Sequence, residues 1–352
     1  PTTPVPVGAC VPPVRACGVT VAGDCAYVAD ADLGLQVVDI MSPTSPFLKG
    51  GCTTAGTARA VATAGDYAYV AADSSGLQIV DITDTASPSV LTGFNTPGCV
   101  YGVVSVGEHV YLADNEGELR VVVVSEPTAP ELVGSGSVMG NCIDVEIAGD
   151  HVYVADGGFG LSVVDISDPV APTLAGVCTV PAGGTHAMCD VSVEGDYACV
   201  TDVWDALHVF DVSDPTDPVL SGSCPMPAWS VALAGDHAFV GTSGYMGDYN
   251  PSFEVVDIST PTNPTVVGSL AMSRSVRGVD VSGEHAYLAD TYDLVVIDIS
   301  DPSAPAMVGS CAVPGGPHNV VVDGDIAYMF ASSRLNLVDI SDPTAPVGLT
   351  TL

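Results

Sequence analysis

Basic residues are nearly missing from this 352-residue chain: seven Lys and Arg stand against 42 Asp and Glu, a formal net charge of −35. Such a surface repels nucleic-acid phosphates and anionic headgroups, which removes those two partner classes. Aromatic residues make up 6%, with two Trp. No apolar run approaches the roughly 20 residues that a membrane-spanning helix needs. Residues 1–8 (PTTPVPVG) carry no charged and apolar leader pattern, so the chain reads as soluble, and as a mature form if it is secreted. No stretch sustains a 3.6-residue apolar period, which leaves no helix of consequence. G-x-S-x-G, H-E-x-x-H, P-loop and dinucleotide-binding motifs are absent, as are C-x-x-C and Cys/His zinc spacings, so no catalytic or zinc chemistry is announced.

Turn formers are plentiful instead, with 38 Gly and 27 Pro, and they recur in order. A G-D/E-x-A/V-Y-V-A-D segment begins at Gly23, Gly65, Gly107, Gly149, Gly195, Gly235, Gly283 and Gly324, at intervals of 42, 42, 42, 46, 40, 48 and 41 residues. Each copy is followed by an L-x-V-V-D-I run such as Leu161 to Ile166, an S-D-P-x-x-P turn and a further apolar segment. An alternating run such as Ile143 to Ile147 precedes each Gly. Four short Val/Ile/Tyr-rich runs between turn signals read as four antiparallel strands, here A to D. Eight such units at 40 to 48 residues predict an all-β, eight-bladed β-propeller spanning residues 1–352 as one domain. A linear solenoid is the alternative, disfavoured because its end repeats would be altered into polar caps. Residues 4–10 match the strand D of blade seven, and the copy after Pro346 looks two residues short. Closure of the ring is therefore expected from an N-terminal strand, residues 4–10, on the outside of blade eight.

The runs Leu294 to Asp298, Leu335 to Asp339 and Leu161 to Asp165, each between a G-D/E-x-A/V-Y segment and I-S-D-P-x-x-P, resemble those of the LVIVD-repeat proteins along essentially the whole chain. The resemblance implies a β-propeller, usually exported or held at the cell surface, and carries over no catalytic residue. It departs at Val123, which replaces the strand C Asp in blade three, and in an enlarged B–C loop in blade six.

Seven blades keep the strand C Asp: Asp39, Asp81, Asp165, Asp211, Asp257, Asp298 and Asp339. A residue repeated in every blade is expected to serve the frame, here by accepting backbone N–H groups of the turn that follows. A–B hairpins and C–D turns share one acidic, monotonous face. His109, His151, His237 and His285, two residues after the hairpin Gly, are expected as half-exposed strand residues too far apart to share a metal. Cys10, Cys52, Cys178, Cys224 and Cys311 fall where other blades carry Phe94 or Leu270, which suggests a buried apolar slot; Cys10–Cys17 and Cys178–Cys189 are the two candidate disulfides.

The opposite face, built from B–C and D–A connections, is where the repeats differ and where function is expected. Six residues before each repeat Gly, the ring nearest the axis holds Cys17, Arg59, Tyr101, Ile143, Cys189, Trp229, Arg277 and His318. Arg59, Tyr101, Trp229, Arg277 and His318, with Trp204, His186, Tyr245 and Tyr249 from longer connections, form the candidate binding set. Asp144, Glu146, Asp190 and Asp280 lie one or three positions deeper. They are either counter-charges for the arginines or a candidate calcium site; no cofactor is otherwise required. The expected function is a non-enzymatic secreted or cell-surface module for protein binding, adhesion or self-assembly. The alternatives are a small-ligand binder at the channel mouth and, third, a propeller hydrolase or lyase.

Overall fold

A computed structural model describes residues 16–42, 46–138, 140, 142–181, 188–242, 250–331 and 334–351. Thirty-two strands form eight separate four-stranded sheets. Blade one shows the pattern: strand A Ala16–Ala22, B Cys25–Asp30, C Gly34–Asp39 and D Phe47–Cys52, each antiparallel to the one before. Strands A stand innermost and pack side by side around the axis. The seam between the last blade and the first is closed by Ala26, Val28 and Val38 against Ile326, Tyr328 and Leu337.

The local reasons are those of the repeat. Each A–B hairpin turns on its glycine in the left-handed region, at φ +55° to +60° from Gly23 to Gly324, where a side chain costs energy and Gly does not. Strands B and C are covered on both faces, so they read as continuous apolar runs: Tyr27, Leu35 and Val37 pack on Val61, Val70 and Val80 of blade two. Each fully buried Val or Leu contributes about 1.5–3 kcal/mol over its exposed state. Strand D keeps a glycine where the next blade's Pro turn presses against it; a Cβ on Gly134 would lie 2.0 Å from Pro172 Cδ.

The strand C aspartates accept the turn N–H two residues on in all seven blades, from Asp39 with Met41 at 3.1 Å to Asp339 with Ser341 at 2.9 Å. The backbone N–H of Ile40 reaches Asp24 O, and its equivalents repeat through Ile340 to Asp325 O, so A–B and C–D turns share one face. All eight hairpin acids there are exposed.

One expectation is corrected. The outer strand of blade eight is Val347–Thr351, paired with Arg334–Asp339; residues 4–10 lie outside the described residues. The copy after Pro346 is not short. Gly348 pairs with Val338 as Met307 pairs with Ile297, and Thr350 takes the place of Gly309.

Candidate functional site

The ring at the start of the inner strands is made by a repeated irregularity. In seven blades the A–B ladder skips one residue at its first rung, and the skipped residues are Cys17, Tyr101, Ile143, Cys189, Trp229, Arg277 and His318. A bulge turns its extra residue out of the ladder. In blade two Arg59 stands immediately ahead of strand A, Ala60–Ala64, held by its N–H to Ala71 O at 2.7 Å. All eight ring residues thus occupy the mouth of the channel, half-buried except for Ile143, which is exposed.

Arg59 donates Nη2 and Nε to one oxygen of Asp73, at 2.7 and 3.2 Å, and its Cζ lies 5.5 Å from the centre of the Tyr101 ring. Hydrogen bonds from the Cys99 thiol and Arg59 hold the Asp73 carboxyl below the usual carboxylate range. Asp73 is the described non-glycine residue with a positive φ, 51°, a conformation that Asp tolerates better than most. The expected counter-charges for the arginines are therefore corrected: Arg59 uses Asp73, not the deeper carboxylates. Among the described residues Arg277 makes no ion pair. Arg274 pairs with Asp293 at 2.9 Å and covers the Tyr292 ring at 4.7 Å. Arg120 is buried inside blade three on Asp114 at 2.6 Å and Glu118 at 2.8 Å.

Asp144, Glu146, Asp190 and Asp280 have another employment. Each accepts a backbone N–H from the inner strand of the following blade: Asp144 from Val191 (3.2 Å), Glu146 from Val193 (2.8 Å), Asp190 from Val231 (2.9 Å) and Asp280 from Val322 (2.7 Å). Ser230 does the same for Val279 at 3.1 Å. Inner strands have a free edge, and these side chains satisfy it while bracing one blade to the next. The carboxyls line the channel yet are ringed by protein, and that burial pushes them up. Glu146 rises to about 7, Asp144 and Asp280 also rise, and Asp190 rises well above its ordinary value, with the Asp144 charge adding to burial. Among the described residues no three carboxylate, thiol or imidazole groups converge as a metal-binding group.

The four hairpin histidines are half-buried, as expected. Cys178 and Cys189 are free thiols, so the Cys178–Cys189 disulfide is corrected; Cys10, and with it the Cys10–Cys17 pairing, lies outside the described residues. The Cys178 sulfur instead takes the Leu220 N–H at 3.0 Å, and Cys189 sits 3.1 Å from Thr201 Oγ1 and from Trp229 O. Burial raises these thiols, Cys52 to about 11 and Cys189 to about 12, which keeps them protonated and unreactive.

His186, Tyr245 and Tyr249 lie outside the described residues. Trp204 is 48% exposed on the B–C turn of blade five, and two aromatics overlooked in the sequence share its setting: Phe159 (42%) in blade four and Tyr292 (58%) in blade seven. The signal was available, since each follows the last Asp of strand B by two or three residues, and Trp204 and Tyr292 take their turn from that Asp.

Fold and site together define an eight-bladed β-propeller with one invariant and one variable face. The LVIVD repeat matches eight times, over residues 15–54, 55–96, 97–137, 139–180, 186–225, 227–271, 273–313 and 314–349, and the chain belongs to that family. Among solved structures it is similar to the computationally designed Ika8 protein, with 10% identity, TM-score 0.75 and coverage of 93% of this chain and 96% of that one. It is also similar to Sqt1 of Saccharomyces cerevisiae, with 8% identity, TM-score 0.76 and 93% of each chain. BamB of Moraxella catarrhalis aligns with 12% identity and TM-score 0.70 over 92% and 94%. At such identities the likeness shows the fold. A search of curated proteins finds no match.

Proposed function

We propose that this propeller is a non-enzymatic protein-interaction module, secreted or displayed at the cell surface, that engages its partner with the variable face over blades four to seven. The observation that carries the reading is the arc of exposed aromatics, Phe159, Trp204 and Tyr292, accompanied by Trp229, by Arg274 on Tyr292 and by Arg277. Trp, Tyr and Arg are the residue types that dominate binding energy at interfaces. Placement outside the cytoplasm rests on the family resemblance and the acidity. The acidic face is the control surface.

The test uses three immobilised baits: wild type, a mouth variant (Trp204→Ala, Tyr292→Ala, Arg277→Ala) and an acidic-face variant (Asp24→Lys, Asp196→Lys), each with and without millimolar calcium. Partners kept by the wild type and the acidic-face variant but lost by the mouth variant support the reading. Partners lost only by the acidic-face variant, or held only with calcium, overturn it.

A further inference from the structure

The channel wall has two halves. At the position directly after the bulge, blades four, five and six carry Asp144, Asp190 and Ser230, and each reaches the N–H two residues past the bulge in the next blade. Blades one, two and three carry Gly18, Ala60 and Gly102 at that position. These have no acceptor to offer. Blade seven carries Gly278 there, and its brace comes instead from Asp280 two residues on. Val61 pairs with Val70, and Val103 with Leu112, as Val191 pairs with Val200. By that register their N–H groups also point away from their own blade. Among the described residues neither N–H is met by a side-chain acceptor.

The missing side chains leave space. A cavity of about 330 Å³ opens on this side of the channel, lined by Arg59, Ala60, Val61, Tyr101, Gly102 and Val103 among others, in the range of small-molecule sites. Its polar lining is rich in donors. Both Arg59 bonds to Asp73 leave from the Nε and Nη2 edge, so Nη1 keeps its two N–H groups. The Tyr101 hydroxyl accepts Asn115 Nδ2 at 3.4 Å and retains its own proton to give. Elsewhere in the ring the same wall receives carboxyl groups, and the chain supplies them. Here the donors of Val61 and Val103 are present and no carboxyl group meets them; Asp144, also on the lining, accepts from Val191 instead.

We propose that this cavity binds a small organic carboxylate, whose oxygens take the place beside Val61, Val103 and Arg59 that Asp144 and Asp190 take against the blades that follow them. The remainder of the molecule lies among Gly18, Ala60, Gly102 and the Tyr101 ring, which favours a compact, flat or short apolar body. Carboxylate charge is tolerable despite the acidic chain, because Arg59 adjoins the site and burial raises Asp144 on the cavity wall toward its neutral form. This site uses the inner strands of blades eight to four, and it shares no residue with the partner arc of Phe159, Trp204, Trp229, Arg274, Arg277 and Tyr292, so the two stand or fall apart.

The probes are benzoate and succinate, with benzamide as the uncharged isostere and inorganic phosphate as the oxyanion without carbon, titrated by calorimetry against the intact chain. Benzoate or succinate is expected to bind with a Kd at or below about 1 mM, at least tenfold tighter than benzamide and phosphate. Ala60→Asp supplies the wall with its own carboxylate toward Val103 and should weaken binding at least tenfold, as should Arg59→Gln; Trp204→Ala should leave it unchanged. Thermal melting of each variant confirms folding, and the Arg59→Gln arm stands if Ala60→Asp does not fold. The proposal is overturned if neither carboxylate binds at about 10 mM, if benzamide or phosphate binds as tightly, or if folded variants bind like the wild type.

Discussion

Blades one to three and blades four to seven send the same inner strand to the channel, yet they finish its free edge in opposite ways. On one side carboxylates and a serine reach across to the next blade; on the other, Gly18, Ala60 and Gly102 leave the N–H donors of Val61 and Val103 facing a cavity. The frame tolerates both because each blade is already held by the apolar packing of its strands B and C. Inner-strand polarity is therefore free to vary, and its asymmetry distinguishes a braced half from an open one.

The largest expected effect is that of pH on the braced half. Asp144, Glu146, Asp190 and Asp280 all have raised folded values, caused first by burial. The folded chain then holds more protons than the unfolded one, so their contribution is complete below their ordinary values and is lost as pH rises, for Glu146 between 4.5 and about 7. Melting temperature should fall by several degrees from pH 5 to pH 8, and Asp190→Asn should flatten that slope. A rising curve would mean that these groups are ionised without penalty. Below pH 4 the sign reverses, because turn aspartates such as Asp165 and Asp298 are held low by Ser167 and Ser300.

Next in size is removal of a brace. Asp280→Ala leaves the N–H groups of Val281 and Val322 unmet, at a cost of about 1–3 kcal/mol, read as a lower denaturation midpoint; an unchanged midpoint would show that the brace contributes nothing. The reciprocal change should be smaller and of opposite sign. Ala60→Asp, by meeting the Val103 N–H, should add about 0.5–1.5 kcal/mol, and a loss of stability would show that the open half cannot accept a carboxyl. Smallest of all is charge reversal on the invariant face. Asp24→Lys with Asp196→Lys should change stability by less than about 1 kcal/mol each, checked by the same denaturation curves.

Blade number, strand order and the roles of both turns were legible because glycine and aspartate recur at fixed places for backbone reasons. Counting back from each Gly even reached the mouth residues, though a bulge leaves no mark in composition and its part in turning them outward was hidden. The outer strand of blade eight was misread by aligning Gly348 with Gly309, when pairing sets it with Met307. Arg59 was matched with the wrong acids because Asp73 lies 14 residues away across the B–C turn of its own blade, a contact set by three-dimensional folding rather than by the repeat.

Among the described residues every blade of this ring, blade eight included, is four strands consecutive in the chain. Within a blade every strand pairs with its sequence neighbour, and loop-closure cost is small. The packing of Ala26, Val28 and Val38 on Ile326, Tyr328 and Leu337 joins residues about 300 apart in the chain and comes late on those grounds. Folding can therefore begin in any blade and spread through its neighbours, with the open array becoming a ring in the last step. Native-state hydrogen exchange should then show its first opening at that seam, between strands whose contact no single blade contains.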